Sequence, residues 1–358
     1  MRNIPIIKQK RKQNYQMANS MKESPFLSII LSIFLAFVIA LILYILVIHF
    51  VVDENLSKNY RESALIDFYN QPHTGDIFVI GSSYVNEGVD ANIIEESLQK
   101  NQINRSVFVI GMNAETPLSR VPELNNLIRS NPEIVIIGIS YRDLTDNNEI
   151  YDDRLALISQ KITCDKDCIS FFNDSQLKMI TQSPFENAIY KRKFIFNSAF
   201  KSLKNFFSEE TKINENKILK REELFLTNFK DPWVHKVNKT ESEIINSLAN
   251  VTDAKRIYDD QNLQKQALLY TITKLHQNNI SVILINMPIN PHLSTVINNA
   301  SRQNYTIFLN STNVSWYDFE REYPSDFFTD TAHMNVAGRT AFSPRIADII
   351  AKKLKAGE

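Results

Sequence analysis

The sequence predicts an α/β domain: a parallel sheet with helices on both faces, interrupted by a helical insertion and preceded by one transmembrane helix. Three observations predict it. Apolar runs that stop at a glycine recur three times between Asp76 and Gly138, with helix-patterned stretches between them. Residues 26–52 form an almost wholly apolar run. Residues 146–250 contain no glycine and change to helical periodicity, richer in aromatic, Lys and Glu side chains.

From the N-terminus, residues 1–25 are a basic tail, with Arg2, Lys8, Lys10, Arg11, Lys12 and Lys22 against the single Glu23. The apolar run Phe26–Val52 follows, free of Asp, Glu, Lys and Arg. As a helix it spans ~40 Å, more than the ~30 Å of a hydrocarbon core. A cleaved signal peptide is the competing explanation. The run is too long for its apolar segment, and no small-x-small site precedes Asp53. An uncleaved anchor is therefore expected, with the lipid bilayer as its partner. The positive tail places the N-terminus in the cytoplasm and residues 53–358 outside. That outer part carries all ten N-x-S/T sequons, at Asn55, Asn104, Asn173, Asn238, Asn250, Asn279, Asn299, Asn304, Asn310 and Asn313.

Residues 53–74 read as a stalk, helical to about residue 70. The core is expected over 75–145 and 251–358, with the insertion or cap at 146–250. Its strands are Asp76–Gly81, Ser106–Gly111, Glu133–Gly138 and Ile280–Asn286, with a weaker fifth at Tyr305–Leu309. Its helices are Val89–Lys100 capped by Asp90, Leu118–Ser130 entered through Pro117, about 253–278, and about Asn335–Leu354. Within the insertion, Phe194–Phe207 has helical spacing.

Composition narrows the function. Forty basic against forty acidic residues give zero net charge, which argues against a nucleic-acid partner. Two cysteines exclude a disulfide-built scaffold and a four-thiolate zinc site, and the six histidines form no HExxH. Glycine is scarce, 7 in 358, or ~2% against a usual ~7%. Each one retained therefore points to a backbone constraint.

Ligands of open parallel sheets bind at the carboxyl ends of the strands. There, Gly81-Ser82-Ser83 puts serines on a strand-to-helix turn, as a nucleophile or as helix caps. G-x-S-x-G is absent, because Val85 stands where the second glycine belongs. Far downstream, Asp330-Thr-Ala-His333 precedes the last helix. An Asp three residues before a His can orient the imidazole as a base towards serine, or simply cap the helix. A divalent metal on Asp326, Asp330 and His333 is the weaker alternative.

Together these two segments resemble the SGNH or GDSL hydrolase family, over residues 75–145 and 255–355. Gly81-Ser82-Ser83 matches the first block, with Ser82 where the family usually has Asp. Asp330-Thr-Ala-His333 matches the last, trailed by Asn335 and Gly338. The family's second-block glycine falls at Gly111 or nearest Asn113 or Ala114. Its third-block Asn is missing, with Ser140 or Arg142 in that neighbourhood. The resemblance implies a flavodoxin-like sheet, Ser83 as nucleophile with Ser82 as the alternative, and His333 and Asp330 completing a triad. It places the oxyanion donors among Gly111, Asn113, Ala114, Ser140 and Arg142, and implies no cofactor and no metal. Membrane-tethered members are similar to O-acyltransferases and D-alanyl-transfer proteins that modify envelope polysaccharides. By that resemblance the substrate is a surface polysaccharide or acyl ester, and a membrane-embedded acyl-donor protein is a partner. The rival is a non-catalytic envelope assembly or glycan-binding protein that keeps the fold.

Two features stand apart. Cys164 and Cys168 either close a small loop or remain thiols. Asp231-Pro-Trp233-Val-His235 either lines a groove or packs a Trp in the core.

Overall fold

The computed structural model describes residues 25–47, 61–113, 115–144, 161–181, 239–248 and 262–357, with positions 155, 158, 229, 230 and 232. The chain divides into two units, Met1–Glu54 and Asn55–Glu358.

In the first unit Pro25–Val47 is a 23-residue helix without a charged side chain, ~34 Å long at ~1.5 Å per residue. Its apolar side chains are exposed, among them Ile33, Phe34 and Phe37. Within the described residues no helix is long and apolar enough to cross a membrane; the side chains of this one are described only at 28–40 and 42. The basic tail 1–24 and residues 48–52 lie outside the described residues.

The second unit is built on five parallel strands: β1 Ile77–Gly81, β2 Val107–Gly111, β3 Ile134–Ile139, β4 Ser281–Asn286 and β5 Ser315–Asp318, in the order β2-β1-β3-β4-β5. β1 and β3 are buried along their whole length, as strands covered on both faces must be, which is why they read as unbroken apolar runs. Chain crossings run one way from β1 to β2 and the other way from β3 through β4 to β5. Because such crossings are right-handed, their helices lie on opposite faces. On one face Ala91–Lys100 packs with Val336–Gly357. On the other, Pro117–Arg120 packs with Leu263–Gln277, and Arg61–Tyr69 with Leu124–Ser130. The direction reverses between β1 and β3, the switch point where this topology opens its ligand crevice.

Local chemistry sets the element ends. Asp90 accepts from the N–H groups of Asn92 and Ile93, and Asn262 and Asn298 cap their helices in the same way. In a chain so poor in glycine, asparagine takes the left-handed position after helices: Asn131, Asn279 and Asn313 all have φ near +60°.

Four expectations need correction. Tyr305–Leu309 is not a strand but part of the helix Asn299–Ser311, whose buried residues Ser301, Tyr305, Phe308 and Leu309 follow helical spacing. The fifth strand is Ser315–Asp318, short and largely exposed, so no apolar run announced it. Leu118–Ser130 is broken by a 3-10 turn at Val121–Glu123, where Pro122 supplies no N–H and crowds the preceding turn. Finally, Arg61–Tyr69 is no stalk: Leu65, Ile66 and Tyr69 are buried in the core. Its Arg61 donates to the carbonyls of Val109 (3.0 Å) and Gly111 (3.3 Å), which covers the open edge of β2.

The described parts of the insertion are helical, at Lys166–Ile169, Asp174–Thr181 and Glu241–Leu248. Cys164 and Cys168 are joined by a disulfide. The N–H of Val109 donates to the carbonyl of Phe229, so the insertion also reaches the β2 edge. Asp231, Trp233, His235 and Phe194–Phe207 lie outside the described residues.

Candidate active site

The site begins where β1 ends. Ser82 caps the short helix Ser83–Gly88 in an extended conformation, and Ser83 is the one partly exposed residue between Ile77 and Val89. This helix lies directly across the strand ends. A side chain at Gly111 would run into Asn86, and one at Gly138 into Val85 and Met287. The strand-ending glycines are thus the floor on which the serine helix rests, and Gly81 sits in register between them.

The last loop brings the other two groups. Asp330 Oδ1 accepts from the N–H of Ala332 and of His333, both at 2.8 Å. Thr329 donates to the His333 carbonyl through its N–H (2.8 Å) and its hydroxyl (3.0 Å). Asn335 clamps the loop to the last helix, donating to the Asp326 carbonyl at 2.6 Å and accepting from the Gly338 N–H at 3.0 Å. Gly338 has no room for a side chain, because Phe327 fills the space. Asn335 and Gly338 therefore build the loop that carries Asp330 and His333.

Ser83 Oγ and His333 Nε2 are 2.8 Å apart, and His333 Nδ1 meets Asp330 Oδ2 at 2.9 Å. A carboxylate on Nδ1 keeps the proton there, so Nε2 offers its lone pair to the serine hydroxyl. Burial alone would raise the Asp330 carboxyl, but the bond and charge of His333 and two backbone N–H groups outweigh it and hold it well below the carboxylate range. Burial likewise lowers the imidazole, yet Asp330 and the charge of Glu87 together raise it above its ordinary 6.5. The Tyr84 ring packs beside the imidazole, 5.6 Å between centroids.

The expected oxyanion donors fare unequally. Ser140 gives both its N–H (2.7 Å) and its hydroxyl (3.0 Å) to Asp143 Oδ2. Burial pushes that carboxyl up to about 6 against the opposing pull of Ser140, Arg142 and Ser82. Ser82 is buried on this side of the turn, and it is Ser83 that meets His333. Arg142 is half-buried and near enough for its charge to oppose protonation of His333. Gly111 ends β2 in contact with the serine helix, Asn113 is exposed on the following turn, and Ala114 lies outside the described residues. Among the described residues no three His, Cys, Asp or Glu side chains are grouped for a metal ion.

Sequence inspection missed three contributors. Glu87, on the serine helix, is buried with Oε1 3.9 Å from His333 Nε2; its spacing of four from Ser83 was the available signal. Asp143 holds Ser140. The C-terminal part of the insertion flanks the loop, where the Lys239 N–H donates to the Thr329 carbonyl at 2.8 Å.

A family model that carries no functional description matches residues 237–355. No curated protein matches the chain. Among solved structures, the chain is similar to a candidate acylhydrolase from Bacteroides fragilis at 10% identity and a TM-score of 0.35, covering 81% of this chain and 94% of that one. It is also similar to a catalytic mutant of an acetylxylan esterase from Geobacillus stearothermophilus, at 11% identity and 0.36, covering 79% and 95%. A second mutant of that esterase, described as acting on acetyl-xylooligosaccharides, matches at 12% identity and 0.35, again covering 79% and 95%.

Proposed function

We propose that the chain is a membrane-anchored serine ester hydrolase or O-acyltransferase, acting at the outer membrane face on cell-surface glycan or lipid-linked esters. The observation that carries the chemistry is the Ser83–His333 contact at 2.8 Å with Asp330 on the far nitrogen of the ring. As Ser83 Oγ attacks an ester carbonyl, its proton passes to His333 Nε2. The tetrahedral intermediate collapses, the alcohol leaves with that proton, and the acyl group stays on Ser83. Water or a glycan hydroxyl then gives its proton to Nε2 and attacks the acyl-serine, releasing a carboxylic acid or a new ester and restoring Ser83. Backbone N–H groups of Ser83 and of Asn113 are the donors for the oxyanion, with Arg142 adding positive charge nearby; the Met112 N–H is held by the Gly81 carbonyl.

The anchor rests on the uncharged apolar sequence Phe26–Val52 and on the basic tail before it. In this arrangement the bilayer holds the domain beside polysaccharide and beside a membrane-embedded acyl-donor protein. The rival, a non-catalytic glycan-binding or assembly protein, draws on the commitment of Ser140 to Asp143, which takes one oxyanion candidate away. Fluorophosphonate labelling of the full-length protein separates the two. Covalent modification at Ser83 with hydrolysis of p-nitrophenyl acetate supports the enzyme; no labelling and no hydrolysis supports the rival. Protease added to the outer membrane face should digest residues 53–358, and a protected C-terminus would overturn the topology.

A further inference from the structure

We propose that Glu87 is a second carboxylate partner of His333, facing the ring from the Ser83 side and steadying the imidazolium that forms when Ser83 gives up its proton. Its catalytic meaning rests on the acyl-transfer reading above, whereas the contact itself rests on geometry. Glu87 is one helical turn beyond Ser83, so the two side chains share a face of the helix. Its Oε1 lies 3.9 Å from His333 Nε2, the nitrogen that meets Ser83. The residue is only 3% exposed. Burying a carboxyl group there is costly unless something favours it, and the loop and the last helix supply the candidates.

The titratable groups facing Glu87 are His333 and Asp330 from the loop and Arg339 from the last helix. Arg339 also donates to the Glu87 carbonyl at 3.1 Å. Burial, reinforced by the charge of Asp330, pushes the Glu87 carboxyl up to about 7 against the opposing pull of His333 and Arg339. Glu87 and His333, 3.9 Å apart and each acting on the other's charge, therefore titrate as a coupled pair. An imidazolium favours the Glu87 carboxylate, and the carboxylate favours the imidazolium. Asp330 acts on the ring through Nδ1 and Glu87 through space near Nε2, so charge formed during proton transfer is met on both sides. Glu87 is a positioning residue in this scheme, since it acts through His333 and not on the substrate.

The test is an NMR titration of histidine-labelled full-length protein in detergent, with His333 assigned by its loss in His333→Gln. Glu87→Gln should lower the His333 midpoint by about one pH unit. Glu87→Asp, which withdraws the carboxylate by one methylene, should give a smaller shift in the same direction and decides the matter if the Gln variant fails to fold. A midpoint that stays within ~0.2 unit of the wild type in a folded variant overturns the proposal. The titration needs no turnover. A protein that gives the shift but neither labels nor hydrolyses esters rejects the acyl-transfer reading and keeps the contact. In an active enzyme the acid limb of kcat/KM should move down with the same variant.

Discussion

The His333 cluster and the Arg120 cluster lie at the same carboxyl edge of the sheet and are assembled from similar side chains, yet they use their hydrogen bonds differently. Arg120 donates to the carbonyls of Gly81 and Ile110, to Glu123 at 2.6 Å and to Tyr69 at 3.4 Å, and it pairs with Glu115. The Arg120 side chain is 6% exposed and both carboxylates 1%. In the His333 cluster, by contrast, His333 and Asp330 keep 18% and 20% of their side chains exposed, and the serine at the end of the chain is itself partly open. Asp330 is driven down while His333 and Glu87 are driven up. Burial and ion pairing are common to the two clusters. In the His333 cluster, opposed proton affinities fall on an Asp–His pair that is partly open to solvent beside a partly exposed serine, and that combination marks it as the candidate site.

The contrast breaks most sharply under substitution. Ser83→Ala or His333→Ala should each lower turnover of p-nitrophenyl acetate on the order of 10⁵–10⁶-fold, and the double variant should be little worse, because the two groups act as a unit. Asp330→Asn should cost about 10⁴-fold, since that side chain orients the ring without carrying the proton. Thermal melts of the Ser83 variant should stay close to wild type. If the Ser83 variant keeps its activity, the site is elsewhere.

Arg120→Met should do the reverse. It removes the guanidinium that pairs with buried Glu115 and Glu123, a loss of about 3–5 kcal/mol in denaturant unfolding. Whatever protein remains folded should turn over substrate at nearly the wild-type rate. A large fall in kcat for the folded fraction would merge the two clusters into one functional unit.

Acidity sharpens the same difference. His333 must be neutral to accept the serine proton, and its affinity for protons is raised above the usual 6.5. The kcat/KM profile should therefore fall on the acid side with a midpoint above ~6.5 and a tenfold loss per pH unit below it. Asp330→Asn removes the main partner that raises the ring, so its residual activity should persist to lower pH. A profile flat from pH 5 to 8 in the wild type, readable as a rate–pH curve of about that range, would contradict a histidine base.

Legibility followed the physics of each region. β1 to β3 were readable because strands buried on both faces must be apolar throughout and because the serine helix forces a glycine at each end. The candidates Ser83, Asp330 and His333 stand out because a serine turn and an Asp-x-x-His segment are local patterns, and the structure brings the three within hydrogen-bond reach. β5 was not, being a half-exposed edge strand of four residues that has no apolar run to display. Tyr305–Leu309, inside the helix Asn299–Ser311, reads as a strand because it is apolar enough for either, and only packing separates the periods. Glu87 and Arg120 were passed over because charged residues on amphipathic stretches are ordinarily solvated. Their burial comes from long-range neighbours, Arg339 and Asp330 for one and the strand-end carbonyls for the other.

The smallest expected effect concerns the missing asparagine of the oxyanion region. Ser140 stands in its neighbourhood, but its N–H and hydroxyl are both turned to Asp143 Oδ2. Ser140→Ala removes the hydroxyl and leaves the N–H bond, which should cost about 1 kcal/mol of stability. Turnover should change by less than about threefold, whereas removing a true oxyanion donor costs about 10²–10³-fold. Arg142→Ala is the natural companion, because its charge reaches both Asp143 and His333. A 10²-fold loss in Arg142→Ala with Ser140→Ala unaffected assigns the electrostatic part of the oxyanion site to the guanidinium. The same loss in Ser140→Ala would mean that the hydroxyl leaves Asp143 during the reaction, and that holding groups and reacting groups at the end of β3 are not separate.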